Sequence, residues 1–203
     1  MINLTKVKKD LLKIVKALTS TRKMKLFSFW LSLMIIISIS WVILGDVNNI
    51  TVAISTLACG ISTIIFWIYR KTLTQMVKKW NIKPSKKFIL IGSLCALLAE
   101  FIFWFFEKLF NANGVAANPN LLIDYIVTMP WYILMIFLLW KVQNKYHYSL
   151  KEMILFGGIY ELGGDGFIGS LLNGQLLSGF ILGVIAIPLF VVVYSVIILP
   201  PTN

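Results

Sequence analysis

The chain has 203 residues, of which 59% are hydrophobic and only 13% charged, with a mean hydropathy of +0.86. Soluble domains average about 25% charged residues, so the composition excludes an ordinary soluble domain and specifies an all-α polytopic membrane protein. The net charge of +11 does not imply nucleic acid, because of nineteen Lys and Arg residues eight lie in 1–25, seven in 70–87 and three in 141–152, leaving only Lys108 elsewhere.

Within residues 1–25, Leu4, Val7, Leu11, Ile14, Val15 and Leu18 recur at helical spacing, with Lys6, Lys9, Lys13 and Lys16 between them. This predicts a basic amphipathic helix lying on the anionic lipid headgroups of the cytoplasmic leaflet. The apolar run that follows is too long for a signal-peptide core and has no small-residue cleavage site after it, so it reads as a retained first span.

The hydropathy pattern then predicts a domain, 26–203, of six transmembrane helices at about 26–44, 50–69, 88–110, 121–140, 153–172 and 176–199. Polar turns separate them at 45–49, 111–120 and 173–175, and basic loops at 70–87 and 141–152. Six spans place both termini and every basic segment on one side, the positive-inside signature of a multi-pass cell-membrane protein with cytoplasmic termini. The two cysteines, Cys59 and Cys95, fall within apolar runs without metal-site spacing and read as buried thiols.

Five acidic residues, Glu100, Glu107, Asp124, Glu161 and Asp165, lie in or at the ends of these spans, and no Lys, Arg or His lies deep in a span to pair with them. An ionised carboxylate at a helix centre costs about 2.5–3.5 kcal/mol on the insertion scale. Each is therefore protonated, hydrated, or paired with a cation from outside the chain. At 1.5 Å per residue, Glu100 and Asp165 lie about 18 Å, and Glu161 about 12 Å, from the inner ends of their spans. Glu161 and Asp165 are four residues apart and share a helix face with Gly158. Glu100, Glu161 and Asp165 are thus expected to converge at mid-depth, with Asp124 and Glu107 lining the way out. Asp124, Thr128 and Tyr132 form a polar stripe, and Trp104 and Trp131 are placed to line an outward pocket suited to an organic cation. The six glycines between Gly157 and Gly169 either let helices approach closely or mark an unwound segment.

Gly163-Gly164-Asp165 resembles the glycine–aspartate motif of intramembrane aspartyl proteases, with Asp124-Tyr125 as the second aspartate. The chain departs from that pattern at 124–125, which reverses the Tyr-Asp order, and at Leu162, where the motif has Gly. In size and predicted topology the chain is also similar to the substrate-capturing membrane subunits of energy-coupling-factor transporters, without a shared motif. Neither resemblance assigns a family. No phosphate-binding loop, haem or zinc ligand set is present, so no cofactor is expected.

The primary expectation is transport or binding of a cation, proton or cationic small solute from the extracytoplasmic side. One alternative is an intramembrane enzyme whose paired carboxylates act as general acid and base on a lipid-linked or peptide substrate. The other is a non-catalytic assembly or signalling subunit that docks a partner membrane or cytoplasmic subunit.

Overall fold

The computed structural model describes residues 28, 29, 32, 33, 35, 36, 39, 40, 43–161, 173, 174 and 189–201. The N-terminal segment 1–25, Asp165 and much of predicted spans one, five and six lie outside the described residues. The described residues are all helix, turn or irregular, without a strand. Helix α1 spans Val47–Lys78, α2 Pro84–Phe110, α3 Leu121–Tyr146 and α4 Leu150–Glu161, and α5 spans Leu189–Ile198. The first three are long and apolar enough to cross a membrane.

Two boundaries differ from the sequence expectation. The segment 70–87, expected as a basic loop, is helical through Lys78 and breaks only before Pro84. Likewise α3 continues past Trp140 to Tyr146. Lys, Gln and Met are good helix formers, so each helix continues after its apolar stretch ends. At about 1.5 Å per residue, α1 is some 48 Å long against a hydrocarbon core of about 30 Å. At its other end the expected turn 45–49 is shorter, because the Asp46 side chain accepts from the Asn49 amide at 2.8 Å and starts α1 at Val47. Helix α4 opens with Ser149, whose amide and hydroxyl both donate to Glu152 at 2.8 Å. These two bonds hold the Glu152 carboxyl below its ordinary value.

The exposed and buried faces are arranged as a bilayer requires. On α3, Leu122, Ile126, Val127, Leu134 and Leu138 face outward, while Asp124, Tyr132, Met135, Ile136 and Leu139 are buried. The long helices alternate in direction. Phe88 meets Trp140 with ring centroids 5.3 Å apart, whereas Trp104 Nε1 reaches the carbonyl of Pro119 at 3.0 Å from the other end of α2. Helix α5 runs parallel to α1, joined by the Thr63–Ser195 hydroxyl pair at 2.7 Å. One end of the bundle, the basic pole, therefore gathers Lys78, Lys87 and Trp140, and the other gathers Asn48 and loop 111–120.

Small residues set two of the contacts. A Cβ on Gly92 of α2 would sit 2.9 Å from Ile136 Cγ2, and one on Gly157 of α4 would press on Ile198 Cδ1. The Gly157 contact fits the close-packing reading for that glycine. Ile198 can move its terminal methyl, but Ile136 is β-branched on a helix and has little χ1 freedom. Gly92→Ala is expected to lower unfolding stability by about 1–3 kcal/mol through overpacking. In an Ile136→Ala background the same change should cost far less. Denaturant unfolding of the purified protein checks this, and equal costs in the two backgrounds would dismiss the contact.

Candidate functional site

Glu100 lies on the inner face of α2, sixteen residues from its start, about 24 Å along the helix. It is buried, and Tyr132 of α3 donates its hydroxyl to Glu100 Oε1. Glu100 is also within electrostatic reach of Asp124 and Glu161, and Cys59 of α1 is in turn within reach of Glu100. Glu161, buried at the end of α4, accepts from Trp131 Nε1 at 2.9 Å. The Trp131 ring lies 4.5 Å from that of Tyr160, and the Tyr132 ring 5.8 Å from that of Tyr194 on α5. Four helices and α5 thus contribute to one polar interior.

Hydrogen bonding at this interior is incomplete. Among the described residues, Ser55 Oγ, Thr56 Oγ1, Asp124 Oδ2, Tyr160 Oη and Tyr194 Oη are buried with no partner at normal hydrogen-bond distance, although the Asp124 carboxyl faces that of Glu100 and the Tyr194 hydroxyl faces Tyr132 and Glu161. A few such atoms are tolerated in a whole protein, and each one calls for an explanation such as water, an ion or a ligand. The hydroxyls of α1 make the contrast plain. Thr51, Ser62, Thr63 and Thr74 each donate to the carbonyl four residues back, at 2.7 to 3.0 Å. Ser55 and Thr56 do not, although both are buried. They lie one turn from Cys59, which is itself buried.

The outer acids are held differently. Glu107 Oε2 accepts the amides of Val115 at 2.7 Å and Ala116 at 2.6 Å. Asp124 Oδ1 accepts the Asn118 amide at 3.0 Å, while its Oδ2 lacks a partner at normal hydrogen-bond distance. Asn111 adopts a left-handed conformation at φ 51° and ends α2. The Ala112 amide then reaches back to the Glu107 carbonyl at 3.0 Å, as in a Schellman cap. Asn120 caps α3 through the Leu122 and Ile123 amides, and Asn48 accepts the Asn113 amide at 3.1 Å. Loop 111–120 is thereby fastened over the end of the bundle opposite the basic pole.

Of the expected site residues, Glu100, Glu161, Tyr132, Trp131 and Asp124 come together. Glu107 is committed to the loop, as is Trp104 through its bond to Pro119. Thr128 donates to the Asp124 carbonyl at 2.9 Å, and Gly158 is buried on α4. Asp165 lies outside the described residues. Ser55, Thr56, Cys59, Tyr160 and Tyr194 were not among the expected residues. Their signal in the sequence is a pair of adjacent hydroxyls, Ser55 and Thr56, and tyrosines, Tyr160 and Tyr194, inside apolar spans. Among the described residues, no group of three or more His, Cys, Asp or Glu is arranged to hold a metal ion. Comparison of the chain with protein-family models, curated proteins and solved structures gives no match.

The anchoring role of Glu107 is directly testable. Glu107→Ala removes the acceptor for two amides, each costing about 1–3 kcal/mol when left unpaired. Hydrogen exchange at Val115 and Ala116 should accelerate by at least tenfold, with a lower melting temperature. Unchanged exchange at those two amides would show that the carboxyl does not hold the loop.

Proposed function

We propose that this chain binds, and moves across the membrane, a proton or a small cationic solute, using an acidic chamber entered from the side of loop 111–120. Glu100, Asp124 and Glu161 are the binding or proton-exchanging groups, and Asp165 is assigned to the same group from its helical spacing with Glu161. The observation that carries this reading is the juxtaposition of two buried carboxyls, Glu100 and fully buried Asp124, with Asp124 Oδ2 lacking a partner at normal hydrogen-bond distance. Two neighbouring buried carboxyls do not both carry charge without a cation or proton between them. The hydroxyls of Ser55, Thr56 and Tyr194 supply further ligating oxygens. The rings of Trp131, Tyr132, Tyr160 and Tyr194 suit a proton relay or an organic cation.

The same proposal places six spans in the membrane, both termini in the cytoplasm and segment 1–25 on the anionic inner leaflet. Cysteine labelling tests the orientation. Asn113→Cys should react with an impermeant maleimide added outside intact cells, and Lys79→Cys only after lysis. The reverse pattern would invert the topology.

Thermal unfolding tests the site. A ligand that binds only the native state raises stability by about 2.7 kcal/mol at a hundred times its Kd. Lowered pH, or one member of a panel of monovalent, divalent and organic cations, should raise the melting temperature of the wild-type protein. The rise should vanish in Glu100→Gln, Asp124→Asn and Glu161→Gln. If no condition stabilises the wild type, or the substitutions keep the rise, the acids are structural and the transport reading fails. Product formation from a lipid-linked or peptide substrate would instead establish the enzyme alternative.

A further inference from the structure

A second feature lies at the opposite, basic pole and owes nothing to the acidic chamber. A cavity of about 210 Å³ opens between the end of α1, the start of α2, the end of α3 and the residues after α5. Lys78 and Lys87 line it, with Phe88, Trp140, Pro200 and Pro201 forming an apolar wall. Among the described residues, no acidic residue lines it.

The start of α2 sharpens its polarity. The N-terminal end of a helix carries partial positive charge and is ordinarily met by an acidic or hydroxyl cap. Here the capping position is Lys83, there is no side-chain cap bond, and the first turn contains no acid. Pro84, which opens that turn, also lines the cavity. Two lysines and an uncapped helix start therefore converge on one space, with no counter-charge among the described residues of its lining. Lys87 is half-buried beside buried Phe88, and Lys78 is exposed. The tilted Phe88–Trp140 pair gives the space a rigid aromatic side.

We infer that this cavity holds the phosphodiester headgroup of an anionic lipid from the leaflet at the basic pole. The phosphate oxygens meet Lys78, Lys87 and the uncapped end of α2, and the glycerol and first acyl carbons lie against Trp140 and the prolines. Basic pockets between membrane helices are suited to such headgroups. The wall of Phe88, Trp140 and prolines selects an amphiphile over a free anion, which gains nothing from apolar contact.

The test uses the purified full chain in detergent, with phosphatidylglycerol, phosphatidylcholine or inorganic phosphate as the added probe. Native mass spectrometry should show phosphatidylglycerol adducts, with phosphatidylcholine binding on the order of tenfold weaker, since each lysine near an anionic headgroup contributes several-fold. K78Q/K87Q should lose the preference, while K71Q/K79Q, which removes the same charge outside the cavity, should keep it. In wild-type protein, brominated phosphatidylglycerol should quench the emission lost in Trp140→Phe, and brominated phosphatidylcholine should not. Equal loss in both lysine pairs would reduce the effect to diffuse surface charge and overturn the site. Equal binding of the two lipids, absent Trp140 quenching, or the same thermal stabilisation by inorganic phosphate as by phosphatidylglycerol would overturn it too.

Discussion

Burying a carboxyl group among apolar helices costs several kcal/mol unless hydrogen bonds replace the lost water, and the bond from Tyr132 to Glu100 supplies that replacement at the centre of the bundle. It also fixes the register of α2 against α3. With Glu100 opposite Tyr132, Gly92 falls opposite Ile136 and Phe88 opposite Trp140. Sliding either helix by a turn would remove Tyr132 from Glu100 and press Gly92 on a different side chain. The polar contact selects the alignment, and the glycine lets the backbones come close enough for it to form.

Depth gives residues of one type three different tasks. Glu107, near the end of α2, has loop amides within reach and binds two of them. Asp124 stands at the first turn of α3, where one oxygen can still reach the loop while the other points inward. Glu100 and Glu161 have no loop amides to use and take aromatic donors instead, Tyr132 and Trp131. An aromatic ring with one polar atom suits this position, since its body packs with apolar neighbours while its O–H or N–H serves the carboxyl.

The helical architecture and the uncharged outer loop were legible because hydropathy and turn residues report on them directly. The approach of Glu100 and Glu161 was legible too, from their depths measured from the inner ends of two spans that run the same way. Helix ends at the basic pole were not, because the apolar stretch marks the membrane and not the end of hydrogen bonding, and lysines sustain a helix in water. The fastening of loop 111–120 was hidden for another reason. Glu107 bonds amides eight and nine residues away, and no local pattern encodes a side chain reaching across a loop. The unpartnered hydroxyls of Ser55 and Thr56 were equally hidden, since their sequence is the same whether or not they bond back along α1.

Charge separation along the bundle limits what can balance the interior acids. The start of α2, with its lysines, is about 24 Å from Glu100 along the helix. At an effective dielectric constant near 20, unit charges at that distance interact by less than about 1 kcal/mol, against about 4 kcal/mol at 4 Å. The lysines of the basic pole are therefore too far away to neutralise Glu100. Glu100 and Glu161 have aromatic donors as their direct partners and Asp124 a loop amide, and the charged neighbours recorded for Glu100 are other acids, so the proposed proton or cation from outside the chain would supply a balance at close range. A balance made with an exchangeable particle responds to pH or cation concentration, whereas one made with a fixed lysine would not.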